Sequence, residues 1–413
     1  MARITSHEMP ESEIAKQDQR DRLFLGLQLF HFVNDGLILL YPIIMVEYFT
    51  LFDLKYYEIG LVYSMNTLML IIMQIINGYL ADRGYVKFLL IFGVLGVTLS
   101  SFLLHLVVNF VTLFSVSVIS GFFFGIVHAI NYATTIRLYP ENSNLKLARQ
   151  GFMGDLGKLI AIFLSSILTM LLPLAITIVT WNTVCVIAAI FVIWNTKDVR
   201  LPGISTKNAE VDAGLDSVDG ISSFGFIKGA FLIFLLQFLF NAYFDLILKN
   251  TPTYLYDTRT GPLSEYSRIV FAVLYFIGTI GIFNADLFRR KLGRKRHFIV
   301  AYATMITTLL IFQLLATDSV LVTILLLGPN FAIGLSIYTN IFDEVSKHVG
   351  KKKLGFNMSL LLAFGWFGGF ASTYIGGKIA DVNPDFIIWQ AIIVNVLSMV
   401  ITIILIKTKK LND

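Results

Sequence analysis

Twelve stretches of about 20 mainly apolar residues, each long enough to cross a bilayer as a helix, run along this 413-residue chain. They lie at approximately 23–46, 58–80, 88–108, 112–136, 149–171, 174–195, 227–249, 267–288, 297–316, 319–341, 356–378 and 385–406. With 56% apolar and only 14% charged residues, a water-soluble fold would lack the polar surface to cover them. The pattern predicts an all-α membrane protein of twelve transmembrane helices. Residues 1–22 form a polar segment with no small-residue cleavage site, so the first span is read as a retained helix rather than a removable leader.

Most of the 32 Lys and Arg residues fall on one side if the N-terminus is cytoplasmic. They include Arg83, Lys87, the run from Arg289 to Arg296 and Lys351 to Lys353, while Lys55, Lys249, Arg259, Arg268 and Lys378 fall on the other side. Cytoplasmic loops carry such an excess. The expectation is a multi-pass protein of the plasma membrane with both termini cytoplasmic. The formal charge of +5 then reflects topology rather than nucleic-acid binding. A single cysteine, Cys185, excludes a disulfide framework and a thiolate-rich metal site.

The longest interior stretch without apolar character is rich in Gly, Ser and Asp, and it separates six spans from six. This divides the chain into a cytoplasmic tail (1–22), an N-terminal six-helix bundle (23–195), a cytoplasmic linker (196–225), a C-terminal six-helix bundle (226–406) and a short tail (407–413). A shift of 210 positions lays Asp35 on Asp245, Pro42 on Pro252 and Glu47 on Asp257, a shared D-x6-P-x4-[DE] pattern. The basic turn with Gly84 after span two matches the basic turn with Gly293 after span eight. Two pseudo-symmetric halves place a substrate site between them near the bilayer midplane.

Ionisable groups near the bilayer centre cost at least about 2.5–3.5 kcal/mol each on insertion scales, so each should face the protein interior. Gln28, His31 and Asp35 share one face of span one, and Gln237, Asn241 and Asp245 form a matching stripe on span seven. Two facing stripes would line a polar cavity. Asp35 is the first candidate for a proton-coupling carboxylate, with Asp245 and His31 beside it, because desolvation moves a carboxyl towards the range where loading and release alternate. A structural pair of Asp35 with His31 is the alternative. Asn34, His128, Asp155 and Lys158 join Gln28, Gln237 and Asn241 as candidate substrate contacts. Asp155 and Lys158, one turn apart, are also readable as a self-neutralising pair, or Lys158 as a cation holding an anionic substrate or snorkelling to the surface. His128 is equally readable as a satisfied interior histidine. Trp366 lies in Gly365-Trp366-Phe367-Gly368-Gly369, where the glycines favour close packing.

After span two the chain reads Gly78-Tyr79-Leu80-Ala81-Asp82-Arg83-Gly84-Tyr85-Val86-Lys87. Gly78 permits close helix approach, Gly84 a turn with positive φ, and Asp82 can face a helix N-terminus or a cation. This run resembles the loop signature of the major facilitator superfamily. The resemblance implies the major facilitator fold, alternating access, and a conformational latch at Gly78, Asp82, Arg83, Gly84 and Lys87, with Arg137 the preferred partner of Asp82. In the second half the copy is degraded: Asp286 stands at the first glycine and Arg290 at the acid. His31-Phe32-Val33-Asn34-Asp35 with Tyr41-Pro42, Gly125-Ile126-Val127-His128, and Leu147-Ala148-Arg149-Gln150-Gly151-Phe152-Met153-Gly154-Asp155-Leu156-Gly157 make the N-terminal half most similar to the fosmidomycin-resistance branch. The branch continues its span-four histidine into a Pro-Glu pair, whereas Ala129 and Ile130 follow here.

No phosphate-cradling loop, H-E-x-x-H helix or G-x-S-x-G elbow is present. The expectation is therefore a secondary active transporter, not an enzyme, with a small-molecule substrate, protons and the lipid bilayer as partners, no cofactor or metal, and a functional monomer. The branch resemblance favours proton-coupled antiport exporting a drug or small metabolite. The antiporter signatures of spans four and five are incomplete, which keeps open proton-coupled symport of a small organic solute such as an organic anion, sugar or amino acid.

Overall fold

In the computed structural model, residues 11–199, 225–346 and 354–408 are described. Most of the inter-half linker, Lys351 to Lys353 and the outer parts of both tails lie outside them. Every regular element among the described residues is helical. The six helices of the first half are α1 (Glu11–Leu51), α2 (Tyr56–Asp82), α3 (Val86–Leu103), α4 (Phe110–Leu138), α5 (Ser143–Leu171) and α6 (Leu174–Thr196). The second half has α7 (Gly225–Thr258), α8 (Ser267–Phe283), α9 (Arg294–Leu315), α10 (Val320–Ser346), α11 (Leu354–Ala380) and α12 (Phe386–Lys407). Helix α8 is followed, after a 54° bend, by the short basic helix Ala285–Leu292, and the pair together makes the twelfth apolar crossing.

Helices α1 and α7 outrun their apolar stretches. Helix α1 continues to Leu51 and α7 to Thr258, each through an internal proline, Pro42 and Pro252. An apolar count stops where polar residues begin, but a helix in a bundle continues as long as its backbone bonds are met and its polar side chains find partners. Consequently Lys249, expected in an outer segment, lies inside α7 and is buried.

Each half has its own core. Phe30, Phe124 and Trp181 are fully buried in the first, and Phe271, Phe298 and Tyr302 in the second. The outward faces carry exposed Phe88, Leu99, Leu171, Trp194 and Leu314, an apolar surface suited to lipid and to nothing aqueous. Between halves, α2 packs along α11. A Cβ on Gly60 would lie 2.7 Å from the Thr373 carbonyl oxygen and 2.9 Å from Gly377 Cα, and one on Gly78 would lie 2.6 Å from the Gly355 carbonyl oxygen. Small residues let two backbones touch in lipid, where there is no hydrophobic drive to hold helices together.

Within the first half, α1 and α5 meet as closely. A Cβ on Gly157 would sit 2.8 Å from Phe32 C and 3.0 Å from its Cα. Gly157→Val is expected to cost about 1–3 kcal/mol through overpacking, read as a lower melting temperature in detergent. An unchanged melt would mean that these helices do not pack this way.

Candidate functional site

The α1–α5 contact brings five polar side chains together around Asp35, which is 1% exposed. Lys158 of α5 places Nζ 2.9 Å from Asp35 Oδ2 and 3.1 Å from Asp155 Oδ1. His31, one turn before Asp35, has Nε2 at 3.4 Å from Oδ2, and His128 of α4 has Nε2 at 3.6 Å from Oδ1. Asn34 Nδ2 donates to Oδ1 at 3.2 Å. Gly154 is what makes room: a Cβ there would lie 2.8 Å from His31 Nε2 and 2.9 Å from Asp35 Oδ2. A buried carboxylate with an ammonium and an amide donor beside it is stable where a lone one would not be.

His31 Nδ1 lies 2.9 Å from the Gln150 carbonyl oxygen. A carbonyl only accepts, so Nδ1 carries hydrogen. The His31 and His128 rings meet edge to face at 5.1 Å. His128 also packs against Trp366 of α11, with centroids 5.4 Å apart, and Tyr132 lies beyond it at 6.5 Å. Tyr275 of α8 and Tyr338 of α10 stand within electrostatic reach of Lys158. Lys158 and Asp155 keep 26% and 24% of their side-chain surface free, so the cluster borders open space rather than a sealed core.

The second expected stripe does not face the first. Gln237 and Asn241 lie against Gly365 of α11, where a Cβ would be 2.8 Å from an amide nitrogen of each, and Asp245 lies against Gly369. Asp245 Oδ2 is 2.7 Å from Lys249 Nζ, which also donates to Thr67 Oγ1 of α2 at 2.8 Å. The first-half stripe turns instead towards α4 and α5. Helix crossing in the bundle rotates each stripe towards its nearest small-residue groove, and spacing along one helix carries no information about that rotation. Gln28 is half-buried one turn before His31 and makes none of these contacts. One further expectation is revised, since Lys158 is shared with Asp35 rather than confined to a local pair with Asp155; Trp366 packs against His128 of the opposite half. Lys249, Thr67 and the Gln150 carbonyl went unrecognised. For Lys249 the i,i+4 spacing from Asp245 was the available signal.

Contacts bridge the halves at both ends. At the Asp82 end, Asp82 accepts from the backbone N–H groups of Gly355 and Phe356 at the start of α11, both at 2.9 Å, and pairs with Arg137. Helix N-termini present unsatisfied N–H groups that suit a carboxylate. Gly84 turns the chain there with φ 90°. Arg83 and Lys87 are not drawn into this contact. Arg83 lies over the Tyr79 ring at 4.3 Å, and Lys87 Nζ donates to the Lys197 and Val199 carbonyls behind α6. In the second half, Gly293 also has positive φ, at 74°, while Asp286 pairs with Arg289 and Arg290 and Arg294 with Glu344.

At the opposite end, Glu47 pairs with Arg268, Tyr56 donates to Asp257 Oδ2 at 3.0 Å, and Tyr57 N–H donates to Asp381 Oδ1 at 3.1 Å. Beside these lies a cavity of about 430 Å³ lined by Lys55, Tyr56, Asp257 and Asp381 among others. Glu47 is a third exposed, so its pair is worth at most about 1 kcal/mol. Glu47→Gln is expected to open this end modestly, measured as faster labelling of a cysteine placed at Thr50 in a Cys185→Ala background. Unchanged labelling would exclude a gating contribution.

His31, Asp35 and His128 offer three ligand atoms within 4.8 Å of one another. Lys158 bonds Asp35 Oδ2, and a fixed ammonium at 2.9 Å opposes a divalent ion. No metal role is assigned to the group.

Two apolar six-helix halves joined at both ends over a charged cluster have the architecture of a membrane transporter. The major facilitator superfamily profile matches residues 23–373. The chain belongs to that superfamily, and it is a transporter rather than an enzyme. Among solved structures it is similar to the nucleoside transporter NupG, with TM-score 0.70 and 17% identity over 94% of this chain and 100% of that one. It is also similar to a bacterial homologue of the human lysosomal transporter Spinster in an inward-facing, occupied conformation, with TM-score 0.71 and 12% identity over 94% and 97%. At these identities the likeness is one of fold. No curated protein matches in sequence.

Proposed function

We propose that this protein is a proton-coupled antiporter of the plasma membrane, with both termini cytoplasmic, that exports a drug or small metabolite by alternating access. Its N-terminal half is assigned to the fosmidomycin-resistance branch on the motifs around Asp35, His128 and Gly154. Asp35 is the coupling carboxylate, His31 its proton-sharing partner, and Asp245 a second charged centre. Asn34, His128, Asp155, Lys158, Gln237 and Asn241 border the substrate path. Gly78, Asp82, Gly84 and Arg137 form the cytoplasmic latch.

One observation carries this reading. His31 Nδ1 is committed to the Gln150 carbonyl, so Nε2 would face Asp35 Oδ2 at 3.4 Å with a lone pair against a carboxylate oxygen. That contact becomes attractive only when one more proton is present, on the imidazole or on the carboxyl. The cluster thus has a place for one exchangeable proton, next to the inter-half space that substrate must cross. Proton occupancy then biases which end is closed.

The free face of Lys158 supports symport of an organic anion as the second reading. Proteoliposomes with an internal pH dye, offered phosphonates, organic acids, sugars, amino acids and lipophilic cations, separate the two. Protons moving opposite to solute establish antiport. Protons moving with solute overturn it in favour of symport.

A further inference from the structure

We infer that Lys249 is the conformational tie of the Glu47 end: its ammonium, anchored by Asp245 on its own helix, holds Thr67 of the opposite half while that end is closed and releases it when the end opens. This rests on alternating access, and on neither the direction of transport nor the coupling ion. Lys249 is 9% exposed and Thr67 1%. Lys249 Nζ lies 2.7 Å from Asp245 Oδ2, one turn back on α7, and 2.8 Å from Thr67 Oγ1 on α2. Thr67 Oγ1 donates its hydrogen to the Tyr63 carbonyl oxygen at 2.9 Å, so its lone pairs are left to accept from the ammonium. The Tyr63 ring stands 6.0 Å from Nζ, at the outer limit of a cation–π contact. Gly369 of α11 leaves the space in which Asp245 sits, since a Cβ there would overlap its carboxylate.

The partners of Lys249 behave differently when the halves rock. Asp245 shares its helix and travels with it, whereas Thr67 and Tyr63 belong to α2. Thr67 lies nearer the Tyr56 end of α2, and Lys249 nearer the Thr258 end of α7. This is the end where Glu47 meets Arg268 and Tyr56 meets Asp257. Separation there takes Thr67 away from the ammonium, and water entering the cleft replaces it. The ion pair with Asp245 is common to both states and biases neither. The bond to Thr67 is specific to the closed state, and only such a differential contact shifts the balance. It is also better shielded from water than the Glu47 pair, whose carboxylate is a third exposed, so it is screened less.

The test reads distances in purified protein reconstituted in nanodiscs without substrate, between spin labels on cysteines at Thr50 and Tyr256 in a Cys185→Ala background. Thr67→Val keeps the size of the side chain and the Asp245–Lys249 pair but removes the acceptor, whereas Thr67→Ser keeps the acceptor. Losing a hydrogen bond to a charged group from the closed state alone raises the open-to-closed ratio roughly 10- to 100-fold. The expected result is a longer Thr50–Tyr256 distance in Thr67→Val, the wild-type distance in Thr67→Ser, and no separation of labels at Phe152 and Phe283 in either. An unchanged Thr50–Tyr256 distance in folded Thr67→Val, equal opening in Thr67→Ser, or separation at Phe152 and Phe283 overturns the inference. Should Thr67→Val not fold, the double variant Asp245→Asn with Lys249→Met, which removes the pair without leaving half of it buried, decides by the same distances. Failure of the antiport reading appears elsewhere, as protons moving with solute in proteoliposomes.

Discussion

Asp35→Asn is expected to abolish concentrative transport while leaving a folded protein that still exchanges substrate across the membrane. The amide has the size of the carboxyl and can accept from Lys158, but it cannot take up or release a proton at neutral pH. Breaking a buried ion pair by removing one partner typically costs about 3–5 kcal/mol. Here the cost should be smaller, because Lys158 keeps Asp155 at 3.1 Å and is not left unpaired. Loss of coupling and loss of fold are therefore separable at this position. In proteoliposomes, accumulation driven by a pH gradient should fall to the level of protein-free vesicles, while counterflow of labelled substrate persists. A variant that still accumulates solute against its gradient would remove Asp35 from the coupling mechanism.

The second large effect is expected at Asp82. Its carboxylate accepts two backbone N–H groups of α11 and pairs with Arg137, so Asp82→Ala removes three charge-assisted contacts that hold one end of the carrier closed. Hydrogen bonds to charged groups contribute about 1.5–3 kcal/mol each. Water reaching the opened end compensates part of this, leaving about 2–4 kcal/mol, or roughly a 30- to 1000-fold shift in the closed-to-open ratio. Spin labels on cysteines at Phe152 and Phe283, whose rings lie 6.1 Å apart across the halves, should move apart in the variant. Labels at Thr50 and Tyr256, bonded at the opposite end, should not. Because Cys185 is the single native cysteine, Cys185→Ala provides the background. Unchanged distances at the Phe152 end would mean that Asp82 contributes nothing to closure.

Both predictions concern residues that the sequence singles out, but their surroundings were legible to different degrees. Asp82 sits in a contiguous motif, where the glycines and the acid state their own geometry: Gly84 has the positive φ its turn requires, and the carboxylate meets a helix start. Asp35 was conspicuous as a charge in an apolar helix. His31 and Asn34 stand beside it on α1 within reach of spacing, but Lys158 and His128 come from α5 and α4, roughly 90 to 125 positions away, and a one-dimensional pattern does not connect them. Lys249 was hidden for a different reason. The apolar run ends beside it, so hydropathy alone places it in a loop, although the helix continues for another nine residues to Thr258.

What the sequence determined by itself is the medium and the architecture. Lengths of apolar stretches, the poverty of charge and the six-plus-six spacing leave little choice but a helical membrane bundle, because transfer energies act on each segment independently of its neighbours. What only tertiary structure decided is which charges meet. Gln237, Asn241 and Asp245 lie at helical spacing just as Gln28, His31 and Asp35 do, yet one stripe faces Gly365 and Gly369 while His31 and Asp35 face Gly154, Lys158 and His128. Helix rotation in a bundle is set by the fit of small residues against backbone and bulky side chains on other helices. That fit is a property of pairs of segments, and it exists only once the chain has brought them together.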